Sequence, residues 1–507
     1  MKRWGRVVVA IATVAMLAAG RAPAYAQTDW SPPQWEDLSA YEQRIITALL
    51  PADPGAWDQD QTFSFLSAKG TRSATYLALG MLLRDGPSDR ENAAALVRAI
   101  LKLQVDRPGK LDHGVWRSGP GSERLDQNWR EFIGVGLIML REWFPAALDA
   151  ELAAQVEQAL TRAAEGASVR DVGHDYTNIA LMSALLIEYA GHMNDNAQWI
   201  DQGREKAQAI RDGFFEHGTF TEYNSPTYYG VNLMGLGLWC RLARSSELRD
   251  WGGEIEAAFW RDIGQFYHAD LRNLCGPYSR AYGMDMTTYP AIVGLLMAVA
   301  LEGQDAPLPE APVSRLYEWA YAPVFALLDR PIPAEVVQQL HSFEGPRQLS
   351  RSIAADRRRY AIEARLERDW MMGVVTGMNR PWEQHCPATI HWKTGAGDEV
   401  GWLLVHGTSG ADARIVNDAI HVSLPRPSSR RELVVYCHDP THARLEAGPT
   451  SWTWPDMAIE FESSLDGPVI KPLRDARFGQ VMAATWQVPN SQSPGQTVLI
   501  LRPTRKD

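Results

Sequence analysis

The hydrophobic pattern of this chain changes its period once, and that change constrains the fold more than any other feature. From about residue 38 to 330, segments such as NAAALVRAILKLQ, TNIALMSALLIEYAGHM and VNLMGLGLWCRLA place apolar residues three or four positions apart, as amphipathic helices do. After about Trp370 the segments are short and alternate, as in ATIHWK and ELVVYCH, which predicts antiparallel strands. We therefore expect a helical domain followed by a sheet domain.

The helical segments alternate with connections of uneven length, which predicts stacked antiparallel helix pairs and favours an α/α barrel or toroid. The predicted fold class is α + β and multidomain, with an N-terminal incomplete (α/α) toroid and a C-terminal antiparallel β-sandwich. We place a catalytic toroid over residues 27–335, a bridging segment over 336–369 and the β-sandwich over 370–507. The charged run AADRRRYAIEARLERD in the bridging segment is interpreted as a solvated helix, with a substrate-facing arginine cluster as the alternative.

The first 26 residues are typical of a signal peptide. MKRWGR is positively charged, VVVAIATVAMLAAG is apolar and APAYA offers small residues for cleavage, so we expect a cut after Ala26 and a periplasmic or secreted protein. An uncleaved membrane anchor is the alternative, and no later stretch is long enough to span a bilayer. The formal charge of −11 disfavours nucleic acid as a partner, because surfaces that bind phosphate are basic.

Cysteine and histidine spacing gives no strong cofactor signal, and we expect no cofactor. The cysteines are Cys240, Cys275, Cys386 and Cys437, whose spacing matches no zinc pattern. Export permits a disulfide within each half, whereas Cys240, in an apolar helical run, is better interpreted as a core residue. A structural divalent metal in the sheet domain is the alternative, because YCHDPTH places His438 and His442 around Asp439.

Two polar segments precede helices in the middle of the toroid region. In DVGHDYTN, His174 and Asn178 are four residues apart and share a helix face if the helix covers both; otherwise Asp175 or Thr177 caps the helix. In HGTFTEYNSPTYYG, residues 217–230, a Ser-Pro pair favours a turn before the next helix. This segment concentrates more polar and aromatic groups than packing requires: Glu222, Tyr223, Asn224, Tyr228 and Tyr229.

Two further segments carry polar and aromatic side chains before helices. CGPYSRAYGMDM, residues 275–286 and here called the arginine loop, holds Arg280, which is either a fork for a carboxylate or one half of a surface ion pair. In LDQNWREF, Trp129 either contacts a sugar ring or packs in the core. Alternate helix starts of an α/α barrel gather at one rim, so we expect these groups to converge on one cleft. The residues expected to contact substrate are Asn128, Trp129, Tyr223, Asn224, Tyr278, Tyr282 and Asp285.

These motifs resemble those of the toroid-type polysaccharide lyases. DGFFEHGTFTEYNSPTYYG is similar to the segment in which heparinase-like and alginate lyases carry a Glu, a Ser-Pro and a Tyr. Chondroitin and hyaluronan lyases have a comparable Tyr-Gly segment, an Asn-Trp helix start like QNWREFIG and an arginine loop like GPYSRAYG. The resemblance spans residues 110 to 300, approximately, and implies eliminative cleavage of a uronate-containing oligo- or polysaccharide.

The resemblance also implies roles for individual residues. Asn178, helped by His174 or Arg280, binds the uronate carboxylate and acidifies the neighbouring carbon-bound proton. A tyrosine removes that proton, returns one to the leaving glycosidic oxygen, or does both. His174 is the alternative base, since imidazole titrates near neutral pH. Glu222 orients Arg280 or a tyrosine.

Two alignments with the lyases select different tyrosines. Alignment on the Ser-Pro pair, in the heparinase manner, selects Tyr228, which we favour, whereas alignment on Tyr-Gly, in the chondroitin-lyase manner, selects Tyr229. The chain departs from the heparinase-type pattern at Tyr229 and at Ile179, where those lyases often have histidine. These departures bear most on the role of His174.

Two other functions are consistent with the same residues. A glycoside hydrolase on the same toroid needs two carboxylates flanking the scissile bond. Glu222 and Asp285 are the first candidates for that pair, and Asp175 and Asp126 are the next. A noncatalytic glycan-binding protein would use the same cleft without turnover.

Overall fold

The computed structural model describes residues 30–52, 55–312, 315–355, 358–378, 381–395, 400–424, 432–438 and 445–506. Within these ranges helices occupy the N-terminal part and antiparallel strands the C-terminal part, which confirms the expected fold class. None of the helices in the described ranges combines the length and the apolar character that a bilayer span requires. The expected signal peptide over residues 1–26 lies outside the described residues.

The helices alternate between an inner and an outer layer of the toroid. They are α1 Ala40–Leu49, α2 Gln59–Lys69, α3 Thr71–Arg84, α4 Asp89–Leu101, α5 Trp129–Trp143, α6 Ala150–Arg170, α7 Thr177–Met193, α8 Ala197–His217, α9 Pro226–Leu242, α10 Ser246–Phe266, α11 Ile292–Ala300, α12 Leu316–Trp319, α13 Ala322–Leu328 and α14 Ala334–His341. The inner layer consists of α3, α5, α7, α9, α11 and α13, each packed against the next, while α4, α6, α8 and α10 pack outside them.

The amino-acid pattern explains which helices lie inside. Every residue of α7 from Thr177 to Gly191 is buried, and its sequence is accordingly apolar on nearly all faces. The outer helix α8 buries only one side, through residues such as Ile210 and Phe214. The toroid is incomplete because its last repeat is short: α12 has 4 residues and α13 has 7.

The strands form a small hairpin within the toroid and two larger antiparallel sheets after it. The hairpin pairs β1 Tyr267–His268 with β2 Asn273–Leu274. The others are β3 Arg347–Ala355, β4 Arg358–Leu366, β5 Trp370–Thr376, β6 Ala388–Lys393, β7 Val400–Val405, β8 Asp412–Val416, β9 Ala419–Ser423, β10 Glu432–His438, β11 Glu446–Ala447, β12 Ser451–Thr453, β13 Met457–Ser463, β14 Val469–Asp475, β15 Gly479–Gln487 and β16 Thr497–Arg505. The large sheet has the order β14-β15-β10-β7-β6-β5-β4-β3, and the small sheet has the order β11-β12-β13-β16-β9-β8.

The large sheet is the middle layer of the molecule. One of its faces packs on the small sheet through residues such as Trp392 and Trp486, which share a core with Trp452 of β12. The opposite face of β3, β4 and β5 joins the core of the toroid, where Ile362 and Met371 lie among helical residues. The sheet domain is therefore a β-sandwich that is packed against the helices.

The interpretation of the bridging segment as a solvated helix is wrong. After α14, Arg347–Ala355 form β3 and Arg358–Leu366 form β4, so the sheet begins well before residue 370. The run RRYAIEARL alternates, with Tyr360, Ile362, Ala364 and Leu366 buried and the residues between them at least partly exposed. This period of two is a strand signal that the many charges obscured.

The four cysteines are buried free thiols. Cys240 lies in α9 and packs as a small core residue, as expected from its apolar surroundings. Burial raises the pKa of the Cys386 thiol to about 12, so this thiol stays neutral at physiological pH.

Candidate active site

The inner helices begin at a common rim, and a cavity of about 680 Å³ lies there. The starts of α3, α5, α7 and α9 all contribute to its wall, together with the arginine loop and the segment around α12. The predicted site residues that line it are Asn128, Trp129, Asn178, Tyr228, Arg280 and Tyr282. A second cavity of about 480 Å³ lies beside it, at the junction with the sheet domain, and Arg280 lines both.

Local sequence fixes where α9 begins and therefore where its tyrosines point. Asn224 adopts a left-handed conformation with φ 47°, which amide side chains tolerate. Ser225 caps the helix by accepting a hydrogen bond from the backbone N–H of Tyr228 at 3.3 Å, and Pro226 occupies the first turn, where no N–H is needed. The Ser225 hydroxyl also donates to the carbonyl of Arg280 at 2.7 Å, so the turn and the arginine loop are held together.

Glu222 accepts hydrogen bonds from three other residues of the site. One carboxylate oxygen accepts hydrogen bonds from the Asn178 amide at 2.6 Å, the Asn178 backbone N–H at 3.1 Å and the Thr177 hydroxyl at 2.8 Å. The other oxygen accepts from Arg280 Nη1 at 3.0 Å. Glu222 is 7% exposed. A buried carboxylate with this many donors is a fixed anchor that holds an amide and a guanidinium next to each other.

The remaining contacts of Arg280 orient it across the cavity wall. Its Nε donates to the Gln384 side-chain oxygen at 3.0 Å, and its guanidinium lies 3.7 Å from the centre of the Tyr228 ring. Burial alone would lower the pKa of Arg280, but Tyr228 and Glu222 raise it overall, so the guanidinium stays charged. Among the described residues Nη2 of Arg280 donates to no protein atom, so this nitrogen can donate a hydrogen bond to an anionic ligand.

Tyr228 is the tyrosine that reaches the cavity. Its hydroxyl lies 3.0 Å from the Tyr282 hydroxyl, which also accepts a hydrogen bond from the Gln384 amide at 3.1 Å. Burial raises the pKa of Tyr228 well above its usual value, and Arg280 opposes that rise. The phenol is therefore neutral when the cavity holds no ligand.

Asn178 has one polar atom without a protein partner. Its Nδ2 is oriented by Glu222, so the amide oxygen points the other way, and among the described residues it has no hydrogen-bond partner although it is buried. Because Asn178 lines the cavity, a ligand hydroxyl or a protonated carboxyl can satisfy that oxygen. Nδ2 carries a second N–H, which can donate to an anionic ligand oxygen beside the amide.

His174 does not join the site. Helix α7 begins at Thr177, so His174 precedes it and does not share a helix face with Asn178. Its side chain is 49% exposed and lies 3.3 Å from Asp175, outside both cavities. The prediction that His174 binds the carboxylate or acts as the base is inconsistent with this position.

Five other predicted residues are placed outside the cavity. Tyr229 is fully buried, packs edge-on against Phe259 and bonds to Thr219, so the alignment that selects Tyr229 is not supported by the geometry. The remaining four lie in neighbouring turns or in the core. They are Tyr223, which contacts His385; Asn224, which accepts from Tyr229; Tyr278, which donates to the Leu274 carbonyl; and Asp285, which accepts from Thr287 in a separate small cavity.

The first hydrolase pair also fails on geometry. Glu222 accepts hydrogen bonds on both oxygens, and Asp285 lines a different cavity of about 270 Å³. Two carboxylates that flank a glycosidic bond must share one cavity. Asp126 does line the main cavity and Asp175 the second one.

Several residues of the cavity were not predicted. Tyr176 accepts a hydrogen bond from Asn128 at 2.9 Å and lines both cavities. Arg72 at the start of α3, Glu318 in α12 and Gln384 of the sheet domain complete the wall. Tyr176 lies within the quoted motif DVGHDYTN, whereas nothing in the local sequence marks Arg72, Glu318 or Gln384. Arg358, in the charged run of the bridging segment, lines the second cavity, and the substrate-facing alternative for this run stays a prediction.

Metal binding finds no support among the residues that the structure describes. These residues contain no group of three or more His, Cys, Asp or Glu side chains that could hold an ion. Of the zinc candidates, His438 stacks on Trp402, while Asp439 and His442 lie outside the described ranges. The absence of cofactors therefore stays a prediction.

Fold and site together define an (α/α) toroid protein with a polar, arginine-containing cavity at the rim of its inner helices. The chain belongs to the family described as "Domain of unknown function (DUF8769)", whose model matches residues 54–330. No curated protein matches the sequence.

Solved structures similar to this chain are polysaccharide lyases. A chondroitin AC lyase from Streptomyces coelicolor A3, in complex with chondroitin sulphate, is 12% identical, with 91% of this chain and 78% of that chain covered and a TM-score of 0.43. A heparan sulfate lyase from Pedobacter heparinus is 10% identical, with 92% and 84% covered and a TM-score of 0.33. The resemblance is remote, and overlap at this level carries no argument about activity.

Proposed function

We propose that this protein is a polysaccharide lyase that cleaves a uronate-containing glycan by β-elimination. The observation that carries the proposal is the arrangement around Glu222, which holds the Asn178 amide and the Arg280 guanidinium side by side next to Tyr228. Each of these three side chains lines the same cavity. An amide, a guanidinium and a phenol are the groups that proton abstraction next to a carboxylate requires.

The first requirement of elimination is to neutralise the carboxylate. Loss of the proton on the neighbouring carbon spreads negative charge onto both carboxylate oxygens, and oriented donors stabilise that charge. Nη2 of Arg280 and the second N–H of Asn178 supply such donors in this cavity. Because Glu222 fixes both groups before substrate binds, they need little reorganisation during the reaction.

The second requirement is a group that moves the proton. Tyr228, once ionised, takes the proton from the carbon; the electron pair of that C–H bond forms the new C=C bond as the C–O bond to the leaving sugar breaks. Tyr228 then returns the proton to the leaving oxygen and is ready for the next cycle. The guanidinium 3.7 Å from the Tyr228 ring stabilises the phenolate.

Glycoside hydrolysis is the second candidate function. Glu318 supports it as a candidate acid, in place of the pair of Glu222 and Asp285 considered first. Burial raises the pKa of Glu318 to about 7, and Asp126 lines the same cavity. Glycosidases pair a carboxylic acid of raised pKa with a second carboxyl group across the scissile bond.

The experiment that separates the two functions assays a panel of uronate polysaccharides for both new reducing ends and ultraviolet absorbance. A lyase forms an unsaturated sugar that absorbs in the ultraviolet, with one chromophore per bond cleaved, whereas a hydrolase yields reducing ends alone. Reducing ends without absorbance would refute the lyase. Binding with neither product would assign the protein to the noncatalytic class.

Export is part of the same proposal. Residues 1–26 have the charged start, apolar run and small-residue cleavage site of a leader. Expression of the full chain in a bacterial host, followed by N-terminal sequencing of the periplasmic fraction, should give a protein that begins at Gln27. A first residue of Met1 in the membrane fraction would instead support the anchor.

A further inference from the structure

The wall of the cavity provided by α3 has an unsatisfied helix end. Helix α3 begins at Thr71, directly after Gly70 with φ 76°, and no side chain caps it. Residues 69–73 all line the cavity. The N–H of Thr71 donates to the Ser118 carbonyl at 2.9 Å, while the next N–H groups of the first turn have no partner within the helix. The positive end of the helix dipole thus faces the cavity.

Arg72 adds a positive charge to this wall, and Glu318 is the carboxyl group that interacts with it electrostatically, without an ion pair at salt-bridge distance among the described residues. Its guanidinium lies 5.0 Å from the centre of the Phe132 ring and 6.0 Å from that of Tyr317. Among the described residues Arg72 makes these ring contacts and longer-range electrostatic interactions, and it lines the cavity. Lys69 and Arg124 line the same cavity. In a chain with a formal charge of −11, these three cations lining one cavity favour an anionic ligand, although Asp126 lines it too.

Glu318 is the independent sign of a ligand on this wall. It is 3% exposed, lines the cavity and has no hydrogen-bond or ion-pair partner among the described residues. Burial raises its pKa to about 7, and Arg72 and Arg315 oppose that rise. The other titratable groups around it are the neutral phenols of Tyr289, Tyr317 and Tyr321. Near neutral pH its carboxyl is in large part protonated and is a hydrogen-bond donor that lacks an acceptor.

We propose that residues 69–73 and Glu318, here called the α3 subsite, bind an anionic substituent of the sugar next to the one held by Arg280. The substituent is a carboxylate or a sulfate, since both accept hydrogen bonds from a guanidinium fork and from helix N–H groups. The subsite deepens the proposed function, because it implies a polyanionic glycan with charges on successive sugars. It also predicts tighter binding at low pH, when Glu318 donates a hydrogen bond in place of repelling the anion.

The test measures binding to the full chain carrying Tyr228→Phe, so that turnover does not deplete the probe. The probes are an oligomannuronate tetrasaccharide, which carries a carboxylate on every sugar, and a chondroitin 4-sulfate tetrasaccharide, which carries a sulfate on the sugar next to each uronate. Adding Arg72→Gln should weaken binding by about ten- to a hundredfold, the usual effect of losing a charge-assisted contact. Arg72→Lys should restore part of the lost affinity, because lysine keeps the positive charge and lacks only the paired N–H donors of the guanidinium.

The matched control is Arg261→Gln, which removes the same charge from an exposed position on α10 where Arg261 pairs with Glu335. It should leave the Kd unchanged. A loss confined to the oligomannuronate identifies a carboxylate as the anion, a loss confined to the sulfated probe identifies a sulfate, and an equal loss on both shows that the α3 subsite takes either anion. Wild-type affinity in Arg72→Gln, no recovery in Arg72→Lys, or no binding of either probe would overturn the α3 subsite.

A pH series adds a second readout. With Arg72 present, the charged probes should bind more weakly at pH 8 than at pH 6, and Glu318→Gln should remove that difference. A pH dependence that survives in Glu318→Gln would overturn the role of Glu318. Because these are binding measurements, the absence of an unsaturated product from the active protein would refute the lyase while leaving the α3 subsite intact, and the reverse outcome is equally distinguishable.

Discussion

Removal of one oxygen atom, by Tyr228→Phe, tests the proposed chemistry most directly. The ring remains, so its contact with Arg280 at 3.7 Å and its packing are kept. The hydrogen bond to the Tyr282 hydroxyl at 3.0 Å is lost, which costs about 1 kcal/mol of stability at most. Proton transfer by a positioned side chain contributes about 10²- to 10⁴-fold, or about 2.7 to 5.4 kcal/mol of barrier. We therefore expect kcat to fall by at least about a hundredfold with little change in stability.

The assay follows ultraviolet absorbance on the best polysaccharide of the panel, alongside thermal unfolding. Tyr229→Phe is the matched control, since it removes a buried hydroxyl that faces Thr219 and not the cavity, and its kcat should stay near wild type. In the wild-type protein, kcat/KM should rise with pH through the neutral range, because burial keeps the pKa of Tyr228 above its usual value. More than about a tenth of wild-type kcat in Tyr228→Phe would refute the reasoning, since loss of a proton-transfer group costs more than that.

Three further predictions concern the ion pair of Glu222, the close packing at Gly373 and the protonation of His391. Glu222→Gln should lower kcat/KM by about a hundredfold and lower the unfolding midpoint, because an amide group then faces donors that now share a carboxylate, and breaking a buried ion pair costs about 3 kcal/mol or more. Gly373→Ala should shift the arginine loop and abolish activity, because its methyl group would overlap the backbone of that loop. Gly467→Ala is the control: it has open space around it and should change neither the activity nor the melting temperature. Burial lowers the pKa of His391 to about 3, whereas the unfolded chain takes up this proton near pH 6.5, approximately. The folded state therefore loses stability as the pH falls below about 6.5. The urea midpoints at pH 7 and pH 5 should differ less in His391→Gln than in the wild type.

The sequence predicts the fold class and the motifs that supply the site, but it does not predict which side chain of each motif faces the cavity. Adjacent residues on a helix point about 100° apart, so the choice between Tyr228 and Tyr229 depends on the residue at which α9 begins. The Ser-Pro turn sets that residue, and it selects Tyr228. A helix start three residues after His174 likewise removes that side chain from the site.

Long-range contacts explain what the sequence could not predict. Arg72 and Glu318 are 246 positions apart and meet only because α13 returns to α3 at the end of the toroid. Neither residue lies in a motif with a recognisable spacing, so local sequence patterns do not predict that they belong to the site. The strands β3 and β4 were missed for a different reason: their buried residues alternate with arginines and glutamates, and the high charge resembles a solvated helix.

The sheet domain takes part in building the site, although the family match ends at residue 330. The backbone of Tyr278 exchanges hydrogen bonds with Cys386 at 3.1 and 2.9 Å, and the Ala281 N–H donates to the Gln384 carbonyl at 2.8 Å. These contacts fasten the arginine loop to the segment before β6, and the Gln384 side chain then links Arg280 to the tyrosine pair. A toroid without its sheet would keep Asn178 and Tyr228 on their helices but would lose the support that directs the guanidinium toward them. The proposed catalysis therefore depends on the packing of the two domains, because residues of both position Arg280.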